Sequence, residues 1–184
     1  MKIIYCFAVL SLFCMMQMSA QDCFREPYVK IGNTVLRCKK LSHSSYIVNN
    51  ASQDTNRIKF NHIEGINIDN IKFKSQNEIH IIFLTVFSTE RLKELSENER
   101  GISVTCYVNN RGELYQTYYS VNIDSKIKPG ELVKLDSLMK KRLRFTVDEF
   151  EKTDNDILGF SQMFFYEKII SGVKIRPHDV WEYP

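Results

Sequence analysis

The chain has 184 residues, with 25 Lys or Arg, 22 Asp or Glu and five Cys. Because 43% of the residues are hydrophobic, with only seven Gly and four Pro, the composition excludes collagen and wholesale disorder. The formal net charge of +3 is small for this length, and neither a basic arm nor a basic stripe with interleaved aromatics occurs. We therefore expect no nucleic-acid partner.

Residues 1–20 have the features of a secretory signal peptide. Lys2 provides a short basic start, residues 3–16 form an apolar run broken only by Ser11, and Ser19 and Ala20 precede Gln21 as the small residues that cleavage requires. The run is short for a membrane span and has no stop-transfer flank. The sequence thus predicts a secreted or periplasmic protein, residues 21–184, with no membrane insertion after signal removal.

Three cysteines remain after the predicted cleavage, which is an odd number. Cys23 and Cys38 flank a segment predicted to be extended, and export leads to a compartment where disulfides persist. A disulfide between them would hold the new N terminus and contribute about 3 kcal/mol in the chain-entropy model. Cys106 lies on the apolar face of a predicted strand and is interpreted as a small buried hydrophobe. A pairing that uses Cys106, and a chain without any disulfide, remain alternatives.

Residues 21–77 are polar and rich in Asn, with short patches that favour strands. Residues 34–39 and 46–48 are predicted strands, and residues 49–56 are typical of a loop. Shorter alternating patches follow at 57–60 and 66–68. We expect this region to be a β-rich N-terminal extension.

A core domain is predicted from residue 78 onward. Residues 79–87 are nearly all apolar and rich in β-branched residues and Phe, which indicates a strand buried on both faces. Ser88 is a predicted N-cap of a short helix that ends near Gly101. Residues 102–108 alternate as a strand, Asn-Asn-Arg-Gly at 109–112 has hairpin chemistry, and 114–123 form the return strand.

A second helix is predicted to begin at Pro129. Its apolar residues fall on one face at helical spacing: Leu132, Leu135, Leu138, Met139 and Leu143. Asp136 and Lys140 are spaced to pair across one turn. After an acidic stretch, residues 158–170 indicate a last strand, and 172–184 form a C-terminal tail. Residues 78–171 therefore give the order β-α-β-β-α-β, a ferredoxin-like α+β domain whose antiparallel sheet carries two helices on one face.

No residue pattern identifies a catalytic, cofactor or metal site. The four His form no H-x-H or H-E-x-x-H pair, the seven Gly occur singly rather than in a phosphate-binding loop, and G-x-S-x-G is absent. We therefore expect no cofactor and no metal, and we favour a protein that is not an enzyme. The acidic stretch leaves one alternative, a hydrolase of an extracellular polymer that uses carboxylates such as Glu149 and Asp154.

The aromatic residues favour a binding function. Five of them are candidate partner contacts: Tyr115, Tyr118, Tyr119, Trp181 and Tyr183. The first hypothesis is an exported, non-enzymatic binding or interaction domain that contacts an envelope or extracellular macromolecule, with strand addition at a sheet edge as the mode. A carbohydrate-binding module that uses the three strand tyrosines is a further alternative, although sheet packing also explains tyrosines in a strand.

The stretch 104–145 contains a strand, the Asn-Asn-Arg-Gly turn, a second strand, an amphipathic helix over 131–143 and then Phe145. In this pattern it resembles the C-terminal domain of the TonB family. The resemblance would imply a periplasmic module that meets its partner by strand addition. As a whole, the chain is similar to the many short exported proteins of unknown function. No functional residue is transferred from either resemblance.

Overall fold

The computed structural model describes residues 24–52, 71–147 and 157–175. Within these ranges the strands are β1 (Tyr28–Ile31), β2 (Thr34–Lys40), β3 (Ser45–Asn50), β4 (Ile71–Phe73), β5 (Gly101–Asn109), β6 (Leu114–Asn122), β7 (Phe145–Val147) and β8 (Ile157–Phe165). The helices are α1 (Gln76–Val86), α2 (Thr89–Ser96), α3 (Pro129–Arg142) and α4 (Tyr166–Ile170).

Six strands form one antiparallel sheet in the order β1-β2-β3-β6-β5-β8, and β4 pairs with β7 in a separate two-stranded ribbon. The chain is thus a mixed α+β protein built on an antiparallel sheet, as the sequence predicts. Strands β2 and β3, which were expected in an N-terminal extension, belong to the same sheet as β5 and β6. The two regions therefore share one hydrophobic core.

The two faces of this sheet differ in what they contact. On β5, Ile102, Val104, Cys106 and Val108 are buried and alternate with half-buried polar residues and Tyr107. We call the face that carries these buried residues the inner face and the opposite one the outer face. The helices lie against the inner face, where the Phe83 ring of α1 is 5.1 Å from the Phe164 ring of β8.

The prediction of a strand at residues 79–87 is wrong, because residues 79–86 belong to helix α1. Ile79, Ile82 and Phe83 point into the core at helical spacing, while Ile81 and Leu84 are more than 40% exposed. A continuous apolar run contains both the helical and the strand period, so its periodicity alone does not decide between them. The predicted β-α-β-β-α-β order therefore differs from the structure, in which two helices precede β5.

The elements from residue 88 to 143 follow the prediction. Ser88 caps α2 by accepting a hydrogen bond from the Arg91 backbone N–H at 3.1 Å. Gly112 closes the β5–β6 hairpin with φ +74°, a conformation that few residues other than glycine adopt, and an added Cβ there would collide with the Phe145 carbonyl. Pro129 begins α3 as expected. Beyond it, residues 166–170 of the last predicted strand instead form α4.

Cys38 and Cys106 are both buried on the inner face. Burial raises the pKa of the Cys106 thiol to about 12, in agreement with its interpretation as a small hydrophobe. The Cys38 backbone N–H donates to the Pro27 carbonyl at 2.9 Å, which places the start of the described chain beside Cys38. Cys23 lies outside the described residues, so the disulfide between Cys23 and Cys38 stays a prediction.

Several other predictions also fall outside the described residues. They concern the signal peptide at 1–20, the acidic stretch with Glu149 and Asp154, and the tail residues Trp181 and Tyr183.

Candidate functional site

The outer face of the sheet is the one opposite the described helices, which pack against the inner face. Strand register places on it alternate residues from all six strands, including Lys30 of β1, Arg37 of β2, Ile47 of β3, Tyr118 of β6, Thr105 of β5 and Ser161 of β8. The Thr105 and Ser161 hydroxyls are 3.0 Å apart. This face is therefore mostly polar, and it extends across six strands.

The charges that the strands of this sheet place on the outer face are all positive. Lys30, Arg37 and Lys39 lie on it and are exposed, whereas none of the six strands of this sheet contains an Asp or a Glu. With charges of one sign only, this face attracts anions and repels other cations.

A tyrosine pair lies on the outer face, on the neighbouring strands β5 and β6. The rings of Tyr107 on β5 and Tyr118 on β6 meet edge to face, with centroids 5.6 Å apart and an interplanar angle of 74°. Burial raises the pKa of both phenols, and for Tyr118 the nearby positive charge of Arg37 acts in the opposite direction. The pair is thus held close together, with a cation near one of its rings.

Gln116 lies between these tyrosines in the strand pairing and is completely buried. Its Nε2 donates to the Tyr118 hydroxyl at 3.0 Å, while its Oε1 has no hydrogen-bond partner among the residues that the structure describes. A buried acceptor without a partner costs about 1–3 kcal/mol. The folded chain therefore keeps a destabilising polar group on this face.

The structure separates the three strand tyrosines that were predicted as partner contacts. Tyr115 sits at a β-bulge opposite Tyr107 and is 44% exposed, and Tyr118 is half-buried on the outer face. Tyr119 is 2% exposed and faces α3 on the inner face, so it is not accessible to a partner. The carbohydrate-binding alternative requires the three rings to form one exposed stacking surface, and the structure shows that they do not.

Sequence reasoning missed the contributions of Tyr107, Arg37 and Lys39 to this face. The signal was present in the alternation of each strand. Tyr107 falls between Cys106 and Val108, which are both buried, and Arg37 falls between Leu36 and Cys38. Residues out of phase with the apolar positions share the opposite face. Only the order of strands in the sheet, which the pattern does not give, brings them together.

A second polar cluster lies on the inner face, around Asp136 of α3. Its carboxylate accepts hydrogen bonds from the hydroxyls of Thr117 and Tyr119 on β6, and from Lys140 Nζ, which lies 2.6 Å from Oδ2. Burial lowers the pKa of Lys140, and the charge of Asp136 opposes that shift. The pairing of Asp136 with Lys140 confirms the sequence prediction, although Asp136 is buried and Lys140 is half-buried rather than exposed.

Metal sites and membrane-spanning helices were also sought among the residues that the structure describes. No group of three or more His, Cys, Asp or Glu side chains is arranged to hold a metal ion there. No helix in the described ranges is long and apolar enough to cross a membrane.

Comparison with known proteins identifies a structural relative. The fold is similar to the crystal structure of a DUF5043 family protein from Bacteroides uniformis, with a TM-score of 0.61 and 11% sequence identity. The similarity covers 78% of this chain and 87% of that chain. No protein-family model matches the sequence, and no curated protein matches it. At this identity the likeness concerns the fold alone.

Proposed function

We propose that the chain is an exported, non-enzymatic binding domain whose outer face binds an anionic polysaccharide. The observation that carries this proposal is the charge of the outer face, where Lys30, Arg37 and Lys39 are exposed and the strands contribute no carboxylate. Ammonium and guanidinium groups form strong hydrogen bonds with carboxylate or sulfate groups.

The remaining side chains of the outer face suit a sugar polymer. Hydroxyls such as those of Thr105 and Ser161 offer donors and acceptors to sugar hydroxyls. The half-buried ring of Tyr118 offers apolar surface with a polar end on this face, and Tyr115 is exposed at the bulge three residues before it. Six strands at about 4.8 Å spacing give a surface roughly 24 Å wide, which favours an extended ligand over a compact one.

Strand addition, the binding mode expected from sequence, has weaker support at β1. This edge strand has only four residues and carries Lys30, and short edge strands with lysine are features that discourage pairing with another chain. Binding on the outer face does not require a free strand edge. The proposed export would place this face where extracellular polysaccharides occur.

Retention on immobilised polymers tests the proposal. The mature chain is passed over polygalacturonate and over uncharged dextran, in buffers from 50 to 300 mM salt, which spans Debye lengths of roughly 14 to 6 Å. We expect retention on polygalacturonate that weakens with salt, and none on dextran. Arg37→Ala with Lys39→Ala should lower the affinity about tenfold, because each lost charge contact contributes up to about 1 kcal/mol.

The matched control is Lys93→Ala with Lys126→Ala, which removes the same charge from exposed positions outside the sheet. Equal weakening by both double variants would show unspecific charge attraction and refute the outer face as the site. Release of new reducing ends from the polymer would instead support the hydrolase alternative. Stronger retention on single-stranded DNA than on polygalacturonate would also contradict the proposal.

A further inference from the structure

We propose that the cavity between α3 and the strands β2 and β3 binds a small oxyanion group, a carboxylate or a phosphate. The cavity has a volume of about 530 Å³, within the range of pockets that hold small ligands. Its polar lining consists of Thr34, Asn50, Asp136, Ser137, Lys140 and Lys141. This site lies on the other side of the sheet from the outer face, and the inference does not depend on the proposed function.

The one carboxylate in the lining is already engaged. Asp136 is 5% exposed and accepts hydrogen bonds from Thr117, Tyr119 and Lys140. Its negative charge is therefore matched by Lys140, and its oxygens are occupied by protein donors. Asp136 holds Lys140 in place, and its oxygens have little remaining capacity to accept a proton or a hydrogen bond from a ligand.

The lysines leave the cavity with a positive charge. An ammonium group has three donors, and Asp136 has only two oxygens to offer to Lys140, so at least one N–H of Lys140 remains for a ligand. Lys141 is exposed at the rim and adds a second ammonium group. With Asp136 balanced by Lys140, the charge of Lys141 gives the polar lining a net charge of +1.

The side-chain amide of Asn50 provides a further hydrogen-bond donor in the cavity lining. Its Oδ1 accepts from the Ser52 backbone N–H at 3.1 Å and from the Ser52 hydroxyl at 2.7 Å. Those two bonds occupy the amide oxygen, so Nδ2 is the group that remains for a ligand. The hydroxyls of Thr34 and Ser137 serve as further donors. A ligand rich in acceptors and negatively charged, such as a carboxylate or phosphate group, matches this lining.

Titration of the ¹⁵N-labelled mature chain tests the inference. Inorganic phosphate and acetate are added separately at constant ionic strength, with chloride as the reference, and amide shifts are followed by NMR. We expect saturable shifts at Asn50, Ser137 and Lys141 with a Kd of about 1 mM or tighter. The anion that saturates first identifies whether phosphate or carboxylate is preferred.

Two variants and a control separate binding from folding. Lys141→Met should weaken binding at least about threefold, and it leaves the ion pair of Asp136 with Lys140 intact. Thr34→Val removes a hydroxyl donor without a change of charge, and this variant should also weaken anion binding. Lys134→Met is the control on the same helix, since Lys134 donates to the Thr85 carbonyl away from the cavity. The inference is overturned by shifts that fail to saturate, or by equal weakening in the control.

Discussion

The ring of Tyr107 on β5 packs against Gly159, its direct partner on β8. A Cβ at position 159 would lie 2.7 Å from Cε1 of Tyr107, closer than carbon atoms approach in folded proteins. The glycine therefore leaves room for the ring on the outer face, where the ring also meets Tyr118 edge to face. Glycines in strands commonly mark such close approaches.

The first prediction concerns this contact. Gly159→Ala should displace the Tyr107 ring, because the atoms that collide belong to the far end of a side chain that is able to rotate. We expect a change in stability of about 1 kcal/mol or less, since the crowding is partly offset by the lower unfolded-state entropy of alanine. Ring resonances of Tyr107 and Tyr118 should shift in NMR spectra. Gly130→Ala is the control, as no atom lies within 4 Å of its added Cβ. Unchanged tyrosine resonances in Gly159→Ala would contradict the described packing.

The second prediction concerns the ion pair of Asp136 with Lys140. Asp136→Ala should lower the free energy of unfolding by about 3 kcal/mol, because it leaves the half-buried ammonium group and two strand hydroxyls without their acceptor. Adding Lys140→Met removes the unpaired charge and should recover part of that loss. Urea unfolding of the two single variants and the double variant measures the coupling. If the costs of the single variants simply add in the double variant, the pair does not act as described.

The contrast between α1 and the β5–β6 hairpin shows which elements can be predicted from local sequence and which cannot. The hairpin could be predicted because Gly112 and the neighbouring asparagines specify a turn locally, and because β5 alternates strictly. Helix α1 could not, since its apolar residues satisfy either period and tertiary packing decides which face is buried.

The candidate sites depend even more on tertiary structure. Arg37 and Tyr118 are far apart in the chain and share a face only because β2, β3 and β6 are consecutive in the sheet. Asp136 and Lys140 could be paired from helical spacing, but their burial could not, because it depends on Thr117 and Tyr119 in a strand packed beneath the helix. Local spacing predicts local contacts, whereas the sites are formed by strand order.

The third prediction concerns Glu99, which follows α2. Burial raises the pKa of its carboxyl group above 4.5, although the Ser125 hydroxyl donates to Oε1 at 2.5 Å and Arg91 lies nearby. Glu99 therefore binds its proton more tightly in the folded chain than in the unfolded chain. Its contribution to stability is complete below pH 4.5 and is lost as the pH rises through the raised pKa.

Glu99→Gln keeps an oxygen for Ser125 and removes the titration. We expect the variant to gain stability relative to the unmodified chain between pH 4 and pH 7, by about 1.4 kcal/mol for each tenfold change in the acid's dissociation constant on folding. Thermal or urea unfolding across this pH range measures the difference. Glu97→Gln changes an exposed acid two residues away and serves as the control. A difference that stays constant with pH would show that Glu99 is equally solvated in both states.

The fourth prediction concerns the reactivity of the cysteine thiols. Cys106 is completely buried and the pKa of its thiol is about 12, so a thiol reagent at pH 8 should not label it in the folded chain.

After unfolding in urea without reductant, we expect one reactive thiol per mature chain, because the proposed bridge between Cys23 and Cys38 occupies the other two. The hydrogen bond from Cys38 to Pro27 supports that bridge by holding the chain just beyond Cys23 against β2. Cys106→Ala should reduce the count to zero, and reduction before labelling should restore two. Three thiols in the unreduced, unfolded chain would eliminate the bridge while leaving the burial of Cys106 intact.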